Sequence, residues 1–416
     1  MGRRFLGVLS LLAGSVALPG MVQADPLIID ETALANDRLT PGIYPSAPMP
    51  EGFSVPSEPS HPPVEIDWSV GLKGSYTASS AGNAFVTTLK PAFTATHQGV
   101  RTDLVLDGSA ELARAPDGSF VVDALSLKLD GTTMLGSDTT VSGTAGLRLT
   151  QDLPGLPGAN PLVSVPPQVL TGTLGGGLDR QFGRFNVGLK GNLERTLYGP
   201  TTRRDTGLTD NGQQNVWEGD GTLRLGFAAT PIIEVFGEAG LGRDWFDQRG
   251  ADATSRSLRA GIAGQWNGIW SASASFGVGQ HDFDNAGLTD ITTQLYDASI
   301  TYSPDSTVSL TAALATAITP TGADTGGTAK VAHTASADAS YTINSWLRLR
   351  ASADWGHARI EGSGETETSH GLGAGADYRF NSRATLSADY GYVHRDNSLS
   401  GTFDSHTVSL GLTVRR

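Results

Sequence analysis

Thr402–Arg415 reads TFDSHTVSLGLTVR, and from Thr407 onward every second residue changes character. Val408, Leu410, Leu412 and Val414 make one set, and Thr407, Ser409, Gly411 and Thr413 make the other. A period of two is the signature of an extended strand with one apolar and one polar face. The same texture runs through Ile66–Ser79, where Trp68, Val70, Leu72 and Tyr76 alternate with Ser69, Gly71, Lys73, Ser75 and Thr77. Between these two, the pattern predicts strands near 84–97, 100–114, 119–132, 138–151, 169–182, 184–198, 214–229, 231–247 and 252–266. It continues near 269–283, 290–303, 306–319, 328–343, 346–360, 365–380 and 383–396. The total is 18, or 16 if the less regular region 97–168 contributes fewer. At ~3.4 Å per residue and a tilt of ~45°, a 14-residue strand rises roughly 34 Å, enough to cross a membrane.

Composition favours lipid on one face and water on the other. Only 38% of the 416 residues are hydrophobic and 17% charged, while glycine alone supplies 53. A soluble domain low in both classes is unusual. A barrel wall explains it, because lipid takes every second side chain and small polar residues crowd the other face. In lipid an open sheet leaves edge groups unpaired, each costing several kcal/mol, so such a sheet must close. The expected fold is all-β, a transmembrane antiparallel β-barrel of an outer membrane.

Connections and aromatic residues give the wall two distinct ends. Gly183, Thr230-Pro231, Asn267-Gly268, Pro304-Asp305, Asn344-Ser345 and Asn381-Ser382 are tight turns. They alternate with the longer connections 199–213, 248–251, 284–289, 320–327, 361–364 and 397–401. Short turns mark the periplasmic rim and long loops the outside. Phe182, Phe185, Trp266, Trp270, Tyr302, Tyr341, Trp346, Tyr378 and Phe380 lie beside the tight turns, as an interfacial girdle requires. A sparser set, Tyr76, Tyr198, Trp217, Trp245, Phe283 and Trp355, sits at the other ends.

The first 24 residues read as a secretory signal peptide. Arg3 and Arg4 precede an apolar run from Phe5 to Leu18, and Val22-Gln23-Ala24 offers a cleavage site. Its removal takes two basic residues and no acid, leaving 27 basic against 42 acidic residues. That balance argues against a nucleic-acid partner. Residues 25–64 hold nine prolines without a sustained period and read as a periplasmic arm. Residues 65–416 make the barrel. The chain has no cysteine.

A barrel of this size is too wide for its side chains to fill, so its interior is wet. Parity places Lys73, Arg148, Lys190, Glu218, Asp220, Arg224, Glu234, Glu238, Arg259, Arg348, Arg350 and Asp354 on the lumen face. Glu194, Asp244, Asp338, Asp377 and Asp389 share that face. Glu218, Asp220, Glu234 and Glu238 form an acidic group, and Arg348 and Arg350 a basic one. Charges of opposite sign on separate sectors of the wall would set up a transverse field, with a weak preference for cations. The segment Asp152–Gln168, DLPGLPGANPLVSVPPQ, is kept out of a ladder by Pro154, Pro157, Pro161, Pro166 and Pro167. It is the candidate constriction loop, folding inward or capping the rim. The loop Pro200–Gln213 offers Arg203 and Arg204 to lipopolysaccharide.

Signals for chemistry are absent. The eight histidines, His281 and His357 near the outer rim among them, form no metal-ligand spacing. GTLGGGL at 172–178 lacks the lysine and helix of a phosphate loop. No enzymatic activity, cofactor or metal is expected.

The stretches YTINSWLRLRASADW at 341–355, YRFNSRATLSADYGYVHRDNS at 378–398 and FDSHTVSLGLTVRR at 403–416 resemble the putative β-barrel porin 2 family of Gram-negative outer membranes, notably of alphaproteobacteria. The resemblance extends over most of 66–416 and implies a channel-like barrel. It brings no agreed substrate and no site residue. Many outer-membrane barrels end on an aromatic residue read during assembly, whereas this sequence ends Val414-Arg415-Arg416.

The expected function is therefore an outer-membrane, porin-like channel for passive diffusion of small hydrophilic solutes. Two alternatives stand beside it: a conduit for surface polysaccharide working with periplasmic export partners, and a plugged structural or adhesive barrel. The expected partners are outer-membrane lipid, lipopolysaccharide and the barrel-assembly machinery.

Overall fold

The computed structural model describes residues 64–114, 118–153, 163–248, 250, 252–285, 287–320, 329–361, 363–399 and 401–416. The signal-peptide segment, the proline-rich arm and Pro154, Pro157 and Pro161 lie outside the described residues.

The strands are β1 (Glu65–Ser79), β2 (Gly82–Gln98), β3 (Thr102–Arg114), β4 (Phe120–Met134), β5 (Thr139–Gln151), β6 (Val163–Val165) and β7 (Gln168–Phe182). Next come β8 (Phe185–Tyr198), β9 (Thr201–Arg203), β10 (Gly207–Thr209), β11 (Val216–Thr230), β12 (Ile233–Phe246), β13 (Ala253–Trp266) and β14 (Trp270–Phe283). The last are β15 (Ile291–Tyr302), β16 (Val308–Pro320), β17 (Ala329–Asn344), β18 (Leu347–Glu361), β19 (Glu365–Arg379), β20 (Ala384–Asn397) and β21 (Gly401–Arg415). The short β6, β9 and β10 form a separate three-stranded sheet. The other eighteen form one antiparallel sheet, each strand pairing with its neighbours along the chain.

The sheet closes on itself. β21 pairs with β1 from Ser69↔Arg415 to Ser79↔Ser405. Beyond each end of that register the backbone still bonds, from Arg416 N–H to Trp68 O at 3.0 Å and from Ser80 N–H to Asp404 O at 2.9 Å. Every barrel strand is thus paired on both sides over at least part of its length, as a lipid environment demands.

The eighteen barrel strands match the count expected from the sequence, and most boundaries shift by only a few residues. In the irregular region, β4 carries a bulge at Asp123. Glu111 pairs with Ala124 while Leu112 pairs with Val122, so the extra residue switches the parity of β4. The turn between β13 and β14 is tight because Asn267 and Gly268 both take positive φ, 52° and 65°. Ile269 N–H closes this turn on Trp266 O at 3.0 Å, and positive φ at both central residues is what tight hairpin turns with a matching twist require. The outer connection between β1 and β2 is as short as a periplasmic one, with Ala81 N–H bonded to Ser79 Oγ at 3.2 Å.

Burial identifies the two faces. On a closed wall, side chains on the concave side converge and shield one another, while those on the convex side splay. Leu410 is 60% exposed and Ser409 3% exposed, though they are adjacent in the same strand. The apolar set therefore faces outward and the polar set inward. The aromatic band sits on the outer face, with Trp270 and Tyr302 centroids 4.2 Å apart, Trp346 and Tyr378 5.4 Å apart, and Phe185 and Phe227 5.1 Å apart.

One neighbour pair departs from a full ladder. β15 and β16 share six register pairs, from Asp297↔Ala315 to Tyr302↔Leu310. The next shortest register, between β2 and β3, has ten. Toward the outer rim β15 stays laddered to β14 and β16 to β17, so two intact hairpins separate. Where the next backbone bond would fall, Tyr296 N–H instead donates to Thr316 Oγ1 at 3.3 Å. Ile318, Ala329 and Val331 belong to the outward set of β16–β17, yet they pack against Ile291 and Phe283 of the inward set of β14–β15. The outer end of β16–β17 therefore lies on the lumen side of β14–β15. Packing of small apolar side chains replaces the missing ladder there.

Candidate functional site

The polar face is a continuous inner wall, and the register shows which of its charges are neighbours. Lys73 stands opposite Thr88 and Gly411, with its ammonium 4.0 Å from the Asp389 carboxylate. Arg350 donates to Asp377 at 2.9 and 3.0 Å and to Asp389 at 2.7 Å. Arg348 lies beside Thr342 and Asp377, and Asp354 between Ser336 and Gly371. Ser309, Thr311, Asp338, Ser340, Arg348 and Arg350 line a shallow hollow on this part of the wall. Arg148 sits between Ser126 and Thr171, and Lys190 between Gly177 and Thr222.

The acidic group expected at 218–238 divides in two. Arg224 donates to Glu234 at 3.0 Å, and its guanidinium lies 3.6 Å from the ring centroid of Phe236. Glu238 is in register between Arg224 and Arg259. These lower acids are thus interleaved with arginines and make no acidic sector. The upper acids have different company. Glu218 is directly opposite Glu194 on β8 and directly opposite Asp244 on β12, and Asp220 follows one step down the same strand face. Three carboxylates stand in one row across three adjacent strands near the outer rim. Parity alone places Glu194 and Asp244 on the lumen face, but their alignment with Glu218 depends on hairpin register.

The row ends near a buried histidine. His281 on β14 is fully buried, with Nδ1 2.8 Å from Ser255 Oγ and its ring 4.8 Å from that of Phe283 in an edge contact. Its Nε2 has no hydrogen bond and lies 3.9 Å from Asp244 Oδ2. Sequence reasoning noted His281 as a rim residue only. Its inward parity was the available signal, and its burial comes from the non-local packing around Ile291 and Phe283.

The described part of the proline loop joins the rim. β6 pairs with β9 through Val163↔Arg203 and Val165↔Thr202, and Gln151 Nε2 donates to Pro166 O at 2.9 Å. Pro166 and Pro167 are half-buried there. Within the adjacent loop Arg203 pairs with Asp205 at 3.0 Å. Outside the wall, Arg195 pairs with Asp247 at 2.8 Å and Arg256 with Asp282 at 3.2 Å. Arg243 donates to Asp284 at 2.8 Å. The Arg195 guanidinium and the Asn215 amide hold the Asp247 carboxyl below the usual carboxylate range, and Arg243 does the same for Asp284. Trp217 and Trp245 lie on this outer face, with the Arg195 guanidinium 5.3 Å from the Trp217 ring centroid.

Residues 61–416 match the profile of the family described as Putative beta-barrel porin 2. No curated protein matches the chain. Among solved structures it is similar to Pseudomonas aeruginosa OpdK with vanillate, at 11% identity over 85% of this chain and 99% of that one, with a TM-score of 0.43. Pseudomonas aeruginosa OccK2 (OpdF) gives 12% identity, 85% and 98% coverage and 0.43. Acinetobacter baumannii OccAB4 gives 12% identity, 85% and 98% coverage and 0.40.

Proposed function

The chain belongs to the putative beta-barrel porin 2 family, a porin-like channel of the outer membrane for small solutes, and from that premise we propose how its lumen handles them. Small hydrophilic solutes diffuse along the inner wall past Lys73, Arg148, Lys190, Glu218, Asp220, Arg224, Glu234, Glu238, Arg259, Arg348, Arg350 and Asp354. What supports the reading is the closure of the sheet from β1 round to β21 and back to β1, whose two-residue alternation gives the wall a polar inner face for these side chains. Parts of the wall are electrically self-balanced, as at Arg224 with Glu234 and at Arg350 with Asp377 and Asp389. Balanced charges hold water and polar solutes without trapping ions of one sign. The lumen narrows where the end of β16–β17 lies inward.

The outer rim meets lipopolysaccharide through the ion-paired collar of Arg195, Arg243 and Arg256 above the aromatic band. Purified barrel in a planar bilayer tests the reading. Steady ohmic conductance in KCl and swelling of sugar-loaded liposomes are expected. A barrel that inserts and folds yet passes neither ions nor small sugars would refute it.

A further inference from the structure

We infer that the row Glu194–Glu218–Asp244, with Asp220 beside it, is a binding site for linear organic polycations such as polyamines at the outer mouth of the pore. The inference rests on the channel reading above and adds a solute class to it.

The row is costly to build. Like charges directly opposite on neighbouring strands destabilise a sheet, and here Glu218 faces a carboxylate on both sides. At three other places on this wall acids are answered by bases: Lys90 bonds Glu111, Arg224 bonds Glu234, and Arg350 bonds Asp377 and Asp389. Among the described residues no basic side chain forms an ion pair with Glu194, Glu218 or Asp220. Their cross-strand neighbours include neutral groups: Asn192 is the register partner of Asp220, Thr196 Oγ1 lies 3.5 Å from Glu194, and Thr173 is the register partner of Glu194. A run of carboxylates at a channel mouth, on a low-dielectric wall, concentrates cations there.

His281 supplies an independent sign of a ligand. It is buried, it is aimed at Asp244, and its Nε2 is unspent. At 3.9 Å the separation exceeds a hydrogen bond. A buried polar atom without a partner carries a penalty of ~1–3 kcal/mol. An ammonium donating to Asp244 comes within range of Nε2 and can satisfy both.

The shape of the row selects the class of cation. Hard metal ions need six or more oxygens converging on one point, and among the described residues no group of three acidic or histidine side chains does so. These carboxylates stand instead in a line, spaced by the interstrand distance of ~4.8 Å, which is close to the separation of ammonium groups joined by three methylenes in an extended chain.

The test uses the full chain in planar bilayers, with spermidine as the probe and propylamine and Mg²⁺ as comparisons. The wild-type barrel is first shown to conduct KCl. Spermidine is expected to block that current at a concentration at least ~10-fold below either comparison, matching its summed contacts. Glu194→Gln/Glu218→Gln is expected to raise the blocking concentration ~10-fold or more, equal to ~1.4 kcal/mol. Asp244→Asn moves it the same way, and Asp305→Asn in a periplasmic turn does not. Heat-modifiable gel mobility confirms that each variant is folded, and Glu218→Gln alone replaces the double variant if that one is not. A conducting wild type indifferent to spermidine, a variant blocked equally well, or Mg²⁺ acting as strongly as spermidine overturns this inference and leaves the channel reading intact. If the wild type does not conduct, the channel reading fails. Calorimetric titration of spermidine into the detergent-solubilised wild type and double variant then decides the site, and equal heats overturn it.

Discussion

Replacing Ile318 with alanine will turn a quiet outer mouth into a fluctuating one. Above Asp297↔Ala315 no ladder joins β15 to β16, and the hairpins are held by Ile318, Ala329 and Val331 packed on Ile291 and Phe283. Ile318 Cδ1 also lies 3.2 Å from the point where a Cβ on Gly279 would sit, so it spans β15 to reach β14. A fully buried Ile→Ala change costs ~2–5 kcal/mol, and for a half-buried isoleucine the lower end, ~2 kcal/mol, applies. At ~1.4 kcal/mol per decade that raises the population of the undocked hairpin ~30-fold. The ladder below Ala315 and the β16–β17 register are untouched, so the barrel stays folded. Single-channel recording reads the change as new transitions between two conductance levels, the upper one more populated. The chain has no native cysteine, so Gly279→Cys/Ile318→Cys gives a clean lock. Oxidation is expected to abolish the transitions and reduction to restore them. Traces of Ile318→Ala indistinguishable from wild type, in barrels of normal gel mobility, would refute the docking of this hairpin.

Three further outcomes follow from the same geometry. Leu410→Arg puts a charge on the lipid face near mid-strand and is expected to cost ~2–4 kcal/mol in urea-dependent folding into vesicles, while Thr413→Lys on the lumen face costs little; equal costs would contradict the assigned sidedness. Arg350→Gln leaves Asp377 and Asp389 without their shared partner, so the zero-current potential in a KCl gradient will shift toward cation selectivity, and an unchanged potential would show that Arg350 does not face the permeation path. The Asp305 carboxylate accepts from the Thr307 hydroxyl at 2.6 Å and from the Thr307 and Val308 amides at 2.8 and 3.1 Å, which holds it below the usual carboxylate range. Because its folded pKa is depressed, its contribution is present above the unfolded value of ~3.9 and is lost as pH falls through the folded one. Asp305→Ala is therefore expected to lower the unfolding temperature slightly at pH 7 and to have no effect at the acid end of a pH series.

Much of the wall was legible in the residues because its grammar is local. Val408, Leu410, Leu412 and Val414 declare their face by spacing alone, and Asn267-Gly268 declares a hairpin because few other pairs accept positive φ at both positions. The irregularity near 97–168 was harder to read because the bulge at Asp123 reverses parity within one strand, and only the pairing of Glu111 with Ala124 reveals it. In the candidate site, Glu218 and Asp220 were identified by parity together with Glu234 and Glu238. Their separation into an unpaired row and an arginine-balanced patch was not, because Arg224 and Arg259 reach the lower pair only through the register of three strands.

The sequence by itself determined which side chains alternate between lipid and water outside the irregular region 97–168, divided the turns between two rims, and narrowed the strand count to 18 or 16. All of these follow from a two-residue period and from turn chemistry, which act over a few neighbouring residues. Tertiary structure alone decided that Glu194, Glu218 and Asp244 stand side by side, that His281 is buried at the end of their row, and that the end of β16–β17 lies inside β14–β15. Those arrangements depend on where distant strands come into register and where packing replaces a ladder, and a local period carries no information about either.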